Sequence, residues 1–141
     1  MANIIPFAFR GELFSGTHDF ANGGNSFKIA LYTGNPYSTS STAYTTSQEV
    51  SASNTGYTTG GKVLASQAVA SGTAVASVDF ADSALASATF TAAFAAIYND
   101  TNADKLCVVL DFGGNKTATN GTFTISFPDP STPANAIISM A

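Results

Sequence analysis

Two short motifs in the sequence have residue types and spacing associated with phosphate chemistry. The run from Gly56 to Lys62 nearly matches a P-loop, in which backbone N–H groups and a lysine hold phosphates. That motif requires Ser or Thr next and then a helix, whereas Val63 follows here and begins a strand-like run. Asp111-Phe112-Gly113 matches a kinase triplet, but the sequence has no His-Arg-Asp catalytic-loop motif. We therefore interpret the first motif as a turn before a strand and the second as a strand end that meets a glycine turn.

A third motif, Asp100-x-Asn102-x-Asp104, has the oxygen spacing found at the start of a calcium-binding loop. Asp111 falls at the twelfth position, where such loops carry their final carboxylate. Lys105, however, replaces the glycine that the sharp bend requires, and an apolar run occupies the later ligand positions. We predict no metal site, and calcium at Asp100, Asn102 and Asp104 is the alternative that the sequence leaves open.

The single histidine and the single cysteine give little basis for catalysis. Any catalytic triad would have to use His18, and no nucleophile-elbow motif surrounds Ser15 or Ser26. Cys107 lies in the most apolar run of the chain, where burial favours an inert thiol with a raised pKa. We expect His18 to be a hydrogen-bonded structural residue. The sequence therefore predicts a protein that is not an enzyme, with no catalytic residue and no cofactor.

Composition and charge limit the classes of partner that the protein is expected to bind. Of the 141 residues, 45% are hydrophobic and only 10% are charged, against about a quarter in ordinary soluble domains. A surface with so few charges is poorly protected against association, so we expect part of it to be covered in a larger assembly. The net charge is -4 and the five Lys and Arg residues are scattered singly, which argues against nucleic acid, because phosphates need clustered positive charge.

No part of the sequence indicates a membrane partner or export. No apolar run approaches the roughly 18 residues of a membrane helix. The first eleven residues lack the pattern of a signal peptide, and one cysteine cannot form an internal disulfide. We expect a protein that is made in the cytoplasm and not exported.

The elements that would position these residues are predicted to be strands. Apolar residues alternate with polar ones in residues 27–32 and 122–127, while residues 106–110 are apolar on both faces. Gly113-Gly114-Asn115 and Asn120-Gly121 suit tight turns, so residues 89–127 are predicted to form a three-stranded meander. The predicted core consists of Phe27, Ile29, Leu31, Phe90, Val108, Leu110, Phe123, Ile125 and Phe127.

The first run of that meander has two interpretations. Phe90, Phe94, Ile97 and Tyr98 fall at helical spacing among alanines that favour helix, whereas a period of two fits a strand equally well. Further strands are predicted at 62–64, 74–80 and 136–140. Strands at this spacing predict one all-β domain over residues 1–141, a β-sandwich or jelly-roll-like fold.

Two segments are least needed by such a sandwich. Residues 1–26 are predicted to form an N-terminal arm with a short helix at about 6–14, where Pro6 suits the start and Gly16 the end. The polar residues 33–54 are predicted to form a long surface loop. We assign both segments to contacts with neighbouring molecules, through five aromatic residues: Phe7, Phe9, Phe14, Tyr37 and Tyr44.

Six segments in a fixed order resemble a widespread family of small tailed-bacteriophage virion proteins. They are FKIALYT (27–33), GYTTGGK (56–62), VDF (78–80), IYN (97–99), VLDFG (109–113) and GTFTI (121–125). The segment GELFSGTHDF (11–20) is similar to the one that precedes them in that family. The resemblance also favours strand over helix for residues 89–98.

The resemblance implies a capsid decoration or cement protein. Such a protein would be a jelly-roll-like module, made in the cytoplasm of the bacterial host, that associates with itself as a dimer or trimer. It would bind the major capsid protein on the outside of the head. The alternative is a phage tail or receptor-binding component, which would carry an exposed carbohydrate-binding groove with aromatic residues such as Tyr37, Tyr44 and Tyr57. A small hydrolase would need a catalytic constellation, and the sequence offers none.

Overall fold

A computed structural model describes residues 3–72, 74–128 and 136–140 of the chain. These residues form one helix and seven strands, and the predicted all-β sandwich with a short N-terminal helix is confirmed. In chain order the elements are α1 (Phe7–Phe14), β1 (Phe27–Tyr32), β2 (Lys62–Val63), β3 (Ala68–Ser71), β4 (Ala76–Asp79), β5 (Ser83–Asn99), β6 (Lys105–Ile125) and β7 (Ile138–Met140).

The strands belong to two antiparallel sheets. The first has the order β2-β1-β5-β6 and the second the order β3-β4-β7. One apolar cluster joins them, since Phe27 of the first sheet and Val78 and Ile138 of the second belong to the same buried core. This shared core is the inside of the sandwich.

The helix lies where the sequence places it. Pro6, with φ of -61°, precedes α1 and has no N–H group to leave unpaired, and Gly16 follows it with φ of +73°. The backbone N–H of Gly16 donates to the oxygen of Leu13 at 3.3 Å, which ends the last turn. Phe9 is the fully buried residue of the helix, at 1% exposure, so α1 is held on the core by this side chain.

The predicted three-stranded meander is wrong, because its second and third runs are one continuous strand. All of β6 pairs with β5, from Lys105 opposite Asn99 to Ile125 opposite Ser83. Residues 112–115 lie opposite Ala93 alone and form a bulge, and the positive φ angles of Gly113 and Gly114 serve this bulge rather than a chain reversal. Residues 89–98 lie in β5, so of the two interpretations the strand is correct.

Both faces of β1 are covered. Phe27, Ile29 and Leu31 point into the shared core as predicted, while Ala30 and Tyr32 belong to a second buried cluster on the other face. The rest of the predicted core is buried too, with one exception. Phe127 lies beyond the end of β6 and is only half-buried, packed against the core at a ring distance of 5.9 Å from Phe80.

Residues 33–54 contain no helix or strand and most of them are exposed, as predicted for a surface loop. The loop also covers part of the first sheet, which the sequence did not predict. Tyr37 and Val50 are buried at 5% and 3% exposure, and the N–H of Val50 donates to the oxygen of Leu31 at 2.9 Å. The same loop stacks Tyr44 on Tyr98 with ring centroids 4.6 Å apart. The first sheet needs this cover because β1 and β6 are apolar on both faces.

The remaining strand predictions agree with the structure in position. The run at 62–64 contains β2, the run at 74–80 contains β4, and the run at 136–140 contains β7. The prediction that Pro130 and Pro133 interrupt regular structure concerns residues outside the described part of the chain. Within the part of the chain that the structure describes, no helix has both the length and the apolar character needed to cross a membrane.

Candidate functional site

His18 lies beside Glu12 of helix α1 and Cys107 of β6, although Cys107 is 89 positions away from it in the sequence. Nε2 of His18 lies 2.7 Å from Oε2 of Glu12, and Nδ1 lies 3.0 Å from Nδ2 of Asn99 and 3.8 Å from Sγ of Cys107. Because a carboxylate can only accept, Nε2 donates to Glu12 and Nδ1 accepts from the amide of Asn99. The imidazole therefore links the helix to the turn between β5 and β6.

This arrangement has the members of a cysteine–histidine–carboxylate triad, but it is closed to substrates. Cys107 is 0% exposed, and the side chain of His18 is also fully buried. Burial raises the pKa of the Cys107 thiol well above its ordinary value, so the reactive thiolate does not form near neutral pH. The predictions that Cys107 is buried and that His18 is hydrogen-bonded are confirmed.

Glu12 is the ionic centre of this cluster. Oε1 of Glu12 accepts from Nζ of Lys105 at 3.1 Å while Oε2 takes the histidine. Burial by itself raises the pKa of Glu12, but the hydrogen bonds from His18 and Lys105 outweigh it and hold the pKa below its usual value. A charge-assisted contact of this kind fixes α1 to the start of β6.

The residues of the calcium-like motif have other bonds. Asp100 forms an ion pair with Lys28 at 3.0 Å, and the amide nitrogen of Asn102 donates to the oxygen of Thr17. Asn99, at 0% exposure, accepts the N–H groups of Thr101 and Asn102 at 3.1 Å and so shapes the turn. In residues 3–72, 74–128 and 136–140, no three His, Cys, Asp or Glu side chains are grouped so that they could hold a metal ion.

All five tyrosines of the chain meet around Glu49, a grouping that the sequence analysis did not anticipate. Oε2 of Glu49 accepts from the hydroxyl of Tyr44 at 2.7 Å, and Oε1 accepts from the hydroxyl of Tyr57 at 2.6 Å and from the N–H of Gly60 at 2.8 Å. The hydroxyls of Tyr32 and Tyr37 lie 2.6 Å apart, and the hydroxyl of Tyr98 donates to the oxygen of Gly60. The network joins loop 33–54 to the first sheet.

The network is part of the protein interior rather than a ligand groove. Tyr37 and Tyr57 are 5% and 3% exposed, and burial raises the pKa of both phenols. Of the three aromatic residues expected to line a carbohydrate groove, only Tyr44 is partly exposed. Tyr37 and Tyr57 therefore cannot stack on a sugar without loss of the cover over the sheet.

The P-loop-like segment is a close-packed turn. A Cβ on Gly61 would lie 1.9 Å from the backbone oxygen of Ile29, and φ of Gly61 is +81°, so this glycine lets the chain approach β1. The lysine that would hold a phosphate, Lys62, instead donates from Nζ to the backbone oxygen of Ala84. A strand, β2, follows the turn, as the sequence predicts.

The five aromatic residues predicted to contact neighbours divide into three groups. Phe7 and Phe14 on α1 are 61% and 87% exposed. Phe9 and Tyr37 are almost completely buried within the chain, at 1% and 5% exposure, so they pack in the interior rather than project towards a neighbour, and their assignment to an interface is corrected. Tyr44 is half-buried and held by Tyr98 and Glu49.

The half of the β5–β6 hairpin that lies beyond the bulge at residues 112–115 has a different kind of surface. Past the bulge, β6 has exposed, uncharged side chains on its outward positions: Thr117, Thr119, Thr122 and Thr124. Lys116 is the one charged residue in this part of β6. A neutral hydroxyl costs less to bury than a charged group, and threonines can hydrogen-bond across a protein contact.

Comparison with known proteins finds no match for this chain among family models, curated proteins or solved structures.

Proposed function

We propose that this chain is a non-enzymatic structural protein of a tailed-bacteriophage virion. It is made in the host cytoplasm, associates with itself, and binds the major capsid protein on the outside of the head. Its work is to hold the shell together rather than to transform a substrate. The resemblance of residues 11–125 to small virion proteins is where the proposal starts, and three features of the fold support it.

The observation that carries the proposal is the exposure of two phenylalanines on one short helix. Phe7 and Phe14 are 61% and 87% exposed on a chain in which only 10% of the residues are charged. Each buried phenylalanine is worth about 1.5–3 kcal/mol relative to an exposed one, so these rings favour association. The guanidinium of Arg10 lies over the Phe7 ring, 5.4 Å from its centroid, and aromatic residues and arginine are both enriched at interfaces.

The placement of the polar and reactive groups also fits a structural role. His18, Cys107 and Glu12 hold α1 on the sheet, and the tyrosines around Glu49 hold loop 33–54 on it. The uncharged threonine face of β6 adds a surface whose burial costs less free energy than that of a charged face. Such side chains serve rigidity and packing, which a cement protein needs.

The stabilising mechanism is mass action. A protein that binds the assembled shell and not its separated subunits shifts the equilibrium towards the shell by RT ln(1 + [L]/Kd) at each site. A gain of about 2.7 kcal/mol arises at a free concentration of 100 times Kd, and many repeated sites multiply the effect.

The test is to add the purified protein to shells that lack it. We expect saturable binding and a higher temperature of shell disruption, and Phe7→Ser should weaken the binding because it removes an exposed ring without touching the core. Shells that already carry the protein are the control and should take up no more. If the protein fails to bind such shells and copurifies with isolated tails, the tail alternative replaces this proposal.

A further inference from the structure

A continuous apolar surface runs across helix α1 and strand β7. It consists of two adjoining grooves that share one wall, formed by Leu13, Ile138, Ser139 and Met140. The helix groove, of about 380 Å³, is completed by Ile5, Phe9, Arg10 and Phe14. The sheet groove, of about 440 Å³, lies on the other side of the wall and includes Asp19, Phe20, Val69 and Val78.

Exposed hydrophobic side chains concentrate at these grooves. Among the described residues five large hydrophobic side chains are exposed, and three of them line the two grooves. These are Phe14, Val69 and Met140, at 87%, 53% and 54% exposure. Scattered exposed hydrophobic residues are ordinary, whereas a contiguous patch marks a place where something binds.

We infer that this face is where two copies of the chain associate about a two-fold axis, with Phe14 of each copy seated in the sheet groove of the other. The inference deepens the proposed function, because it names the surface through which copies of the cement protein associate. It does not require a capsid, so it can be tested on the purified chain alone.

The two-fold symmetry follows from the position of the grooves. If the axis runs along the shared wall, the helix groove of one copy faces the sheet groove of the other, and the reverse holds at the same time. The most exposed ring of the patch, Phe14, then stands opposite an apolar groove that also contains Phe20 and Val69. Each copy supplies one projecting ring and one groove to receive it.

The charges at the two grooves are complementary under the same symmetry. Arg10 lies at the helix groove and Asp19 at the sheet groove, and both are exposed. Neither forms an ion pair with another residue that the structure describes. With the axis along the shared wall, the side of the interface that carries Arg10 in one copy faces the side that carries Asp19 in the other. Pairs of opposite charge of this kind fix the register of an interface.

A second copy of the chain explains the patch more completely than an unrelated partner does. The ring, the groove, the positive charge and the negative charge all lie on one face of one chain, which is the requirement for a self-complementary interface. An unrelated partner would need only some of these features.

The test is sedimentation equilibrium of the purified chain over a range of concentrations up to about 1 mM, where even weak association is measurable. We expect a monomer–dimer equilibrium. Phe14→Ser should raise the dimer dissociation constant about tenfold or more, because aromatic residues at interface centres dominate affinity. Val63→Ser is the matched control. Val63 is 54% exposed but lies on β2, outside the patch, and its variant should leave the dissociation constant unchanged.

The charge pair gives a second and more specific readout. Arg10→Glu should weaken the dimer by placing two negative charges opposite each other, and adding Asp19→Asn should recover much of the loss. Asparagine is chosen because Oδ1 of Asp19 accepts the N–H of Ala21 at 3.0 Å, and an asparagine oxygen preserves that contact. Circular dichroism of each variant verifies the fold, which exposed substitutions should not alter.

Three results would overturn the inference: a monomer at every concentration, a dimer insensitive to Phe14→Ser, or no recovery on adding Asp19→Asn. If the chain stays monomeric and Phe14→Ser instead abolishes binding to shells, the patch contacts the capsid, and the proposed function stands while this inference fails. If the dimer behaves as expected but the chain binds no shell, the inference stands and the cement function fails.

Discussion

Alkaline pH should unfold this protein through its tyrosines. The phenols of Tyr32, Tyr37, Tyr44, Tyr57 and Tyr98 form the network around Glu49, and burial raises the pKa of every one above the ordinary value of 10.0. In the unfolded chain they ionise at that ordinary value. Above it, the folded state keeps protons that the unfolded state has released, so stability is complete below pH 10 and is lost as the pH rises.

The size of the loss can be worked out from the three most deeply placed phenols that hydrogen-bond within the chain. Tyr32, Tyr98 and Tyr57 are 0%, 2% and 3% exposed. At one pH unit above the ordinary pKa, each such group withdraws about 1.4 kcal/mol from the free energy of unfolding, or about 4 kcal/mol together. Since domains are typically stable by only about 5–15 kcal/mol, this loss brings the chain close to unfolding near pH 11.

Urea melts at a series of pH values, followed by circular dichroism, measure the loss directly, and ultraviolet absorbance of tyrosinate reports ionisation in the same samples. We expect a constant free energy of unfolding from about pH 7 to 8 and a steep decline above about pH 10. Tyrosinate absorbance should appear together with the loss of dichroism. In Tyr57→Phe the decline should be smaller by about 1.4 kcal/mol near pH 11, because one titrating group is gone.

The Cys107 thiol must be separated from this effect, because burial raises its pKa in the same direction. Repeating the series with Cys107→Ala removes that contribution and should leave the decline above pH 10 in place. Tyrosines that titrate in the native protein with an ordinary midpoint, while the dichroism stays unchanged, would refute the reasoning, since the network would then be open to solvent.

Three further perturbations test the packing by urea melts. Gly61→Ala should destabilise by roughly 3 kcal/mol or more, since its Cβ would meet a β1 backbone oxygen at 1.9 Å, whereas Gly11→Ala, with nothing within 4 Å, should stabilise the helix by about 0.5–1 kcal/mol. Glu49→Ala leaves two phenols and one backbone N–H without an acceptor and should lower the free energy of unfolding by about 2–4 kcal/mol. Glu49→Gln should lower it by only about 1 kcal/mol. Equal losses in the two variants would contradict the hydrogen-bond network. Phe123→Ala should cost about 3–5 kcal/mol and Thr124→Ala under about 1 kcal/mol, and comparable losses would mean that the wrong face of β6 is buried.

Local pattern was sufficient to predict most strands but not how far each one continues. The alternation at residues 122–127 and the apolar run at 106–110 identify strand correctly. Gly113 and Gly114 lie between these runs, and glycines with positive φ serve a bulge as well as a turn. Whether these glycines form a bulge or a turn depends on whether β5 is long enough to pair with both runs. The sequence did not show that length, because residues 89–98 fit a helix as well as a strand.

The buried clusters could be predicted only in part. The composition of the run around Cys107 indicates burial, but nothing in the sequence brings His18 to within 3.8 Å of its sulfur, because that contact depends on where α1 lies on the sheet. Loop 33–54 was interpreted as exposed because it is polar on average. A signal was nevertheless present: Tyr37 and Tyr44 are large rings with one polar atom, and such residues often cover a core while bonding at the hydroxyl.

The wide separation of β1 from its main partner affects the order in which the chain folds during synthesis. Phe27 pairs with Asn99 and Tyr32 with Phe94, so β1 leaves the ribosome about 60 to 70 residues before the strand beside it is complete. At about 5–20 residues per second, the edge of β1 that pairs with β5 waits several seconds without its hydrogen-bond partners. The β5–β6 hairpin, whose strands are joined by a short turn, closes within microseconds of its own completion. We therefore expect the earlier half of the chain to pack onto the β5–β6 hairpin once it has formed. A nascent chain stalled before Asn99 would leave the aggregation-prone β1 segment exposed.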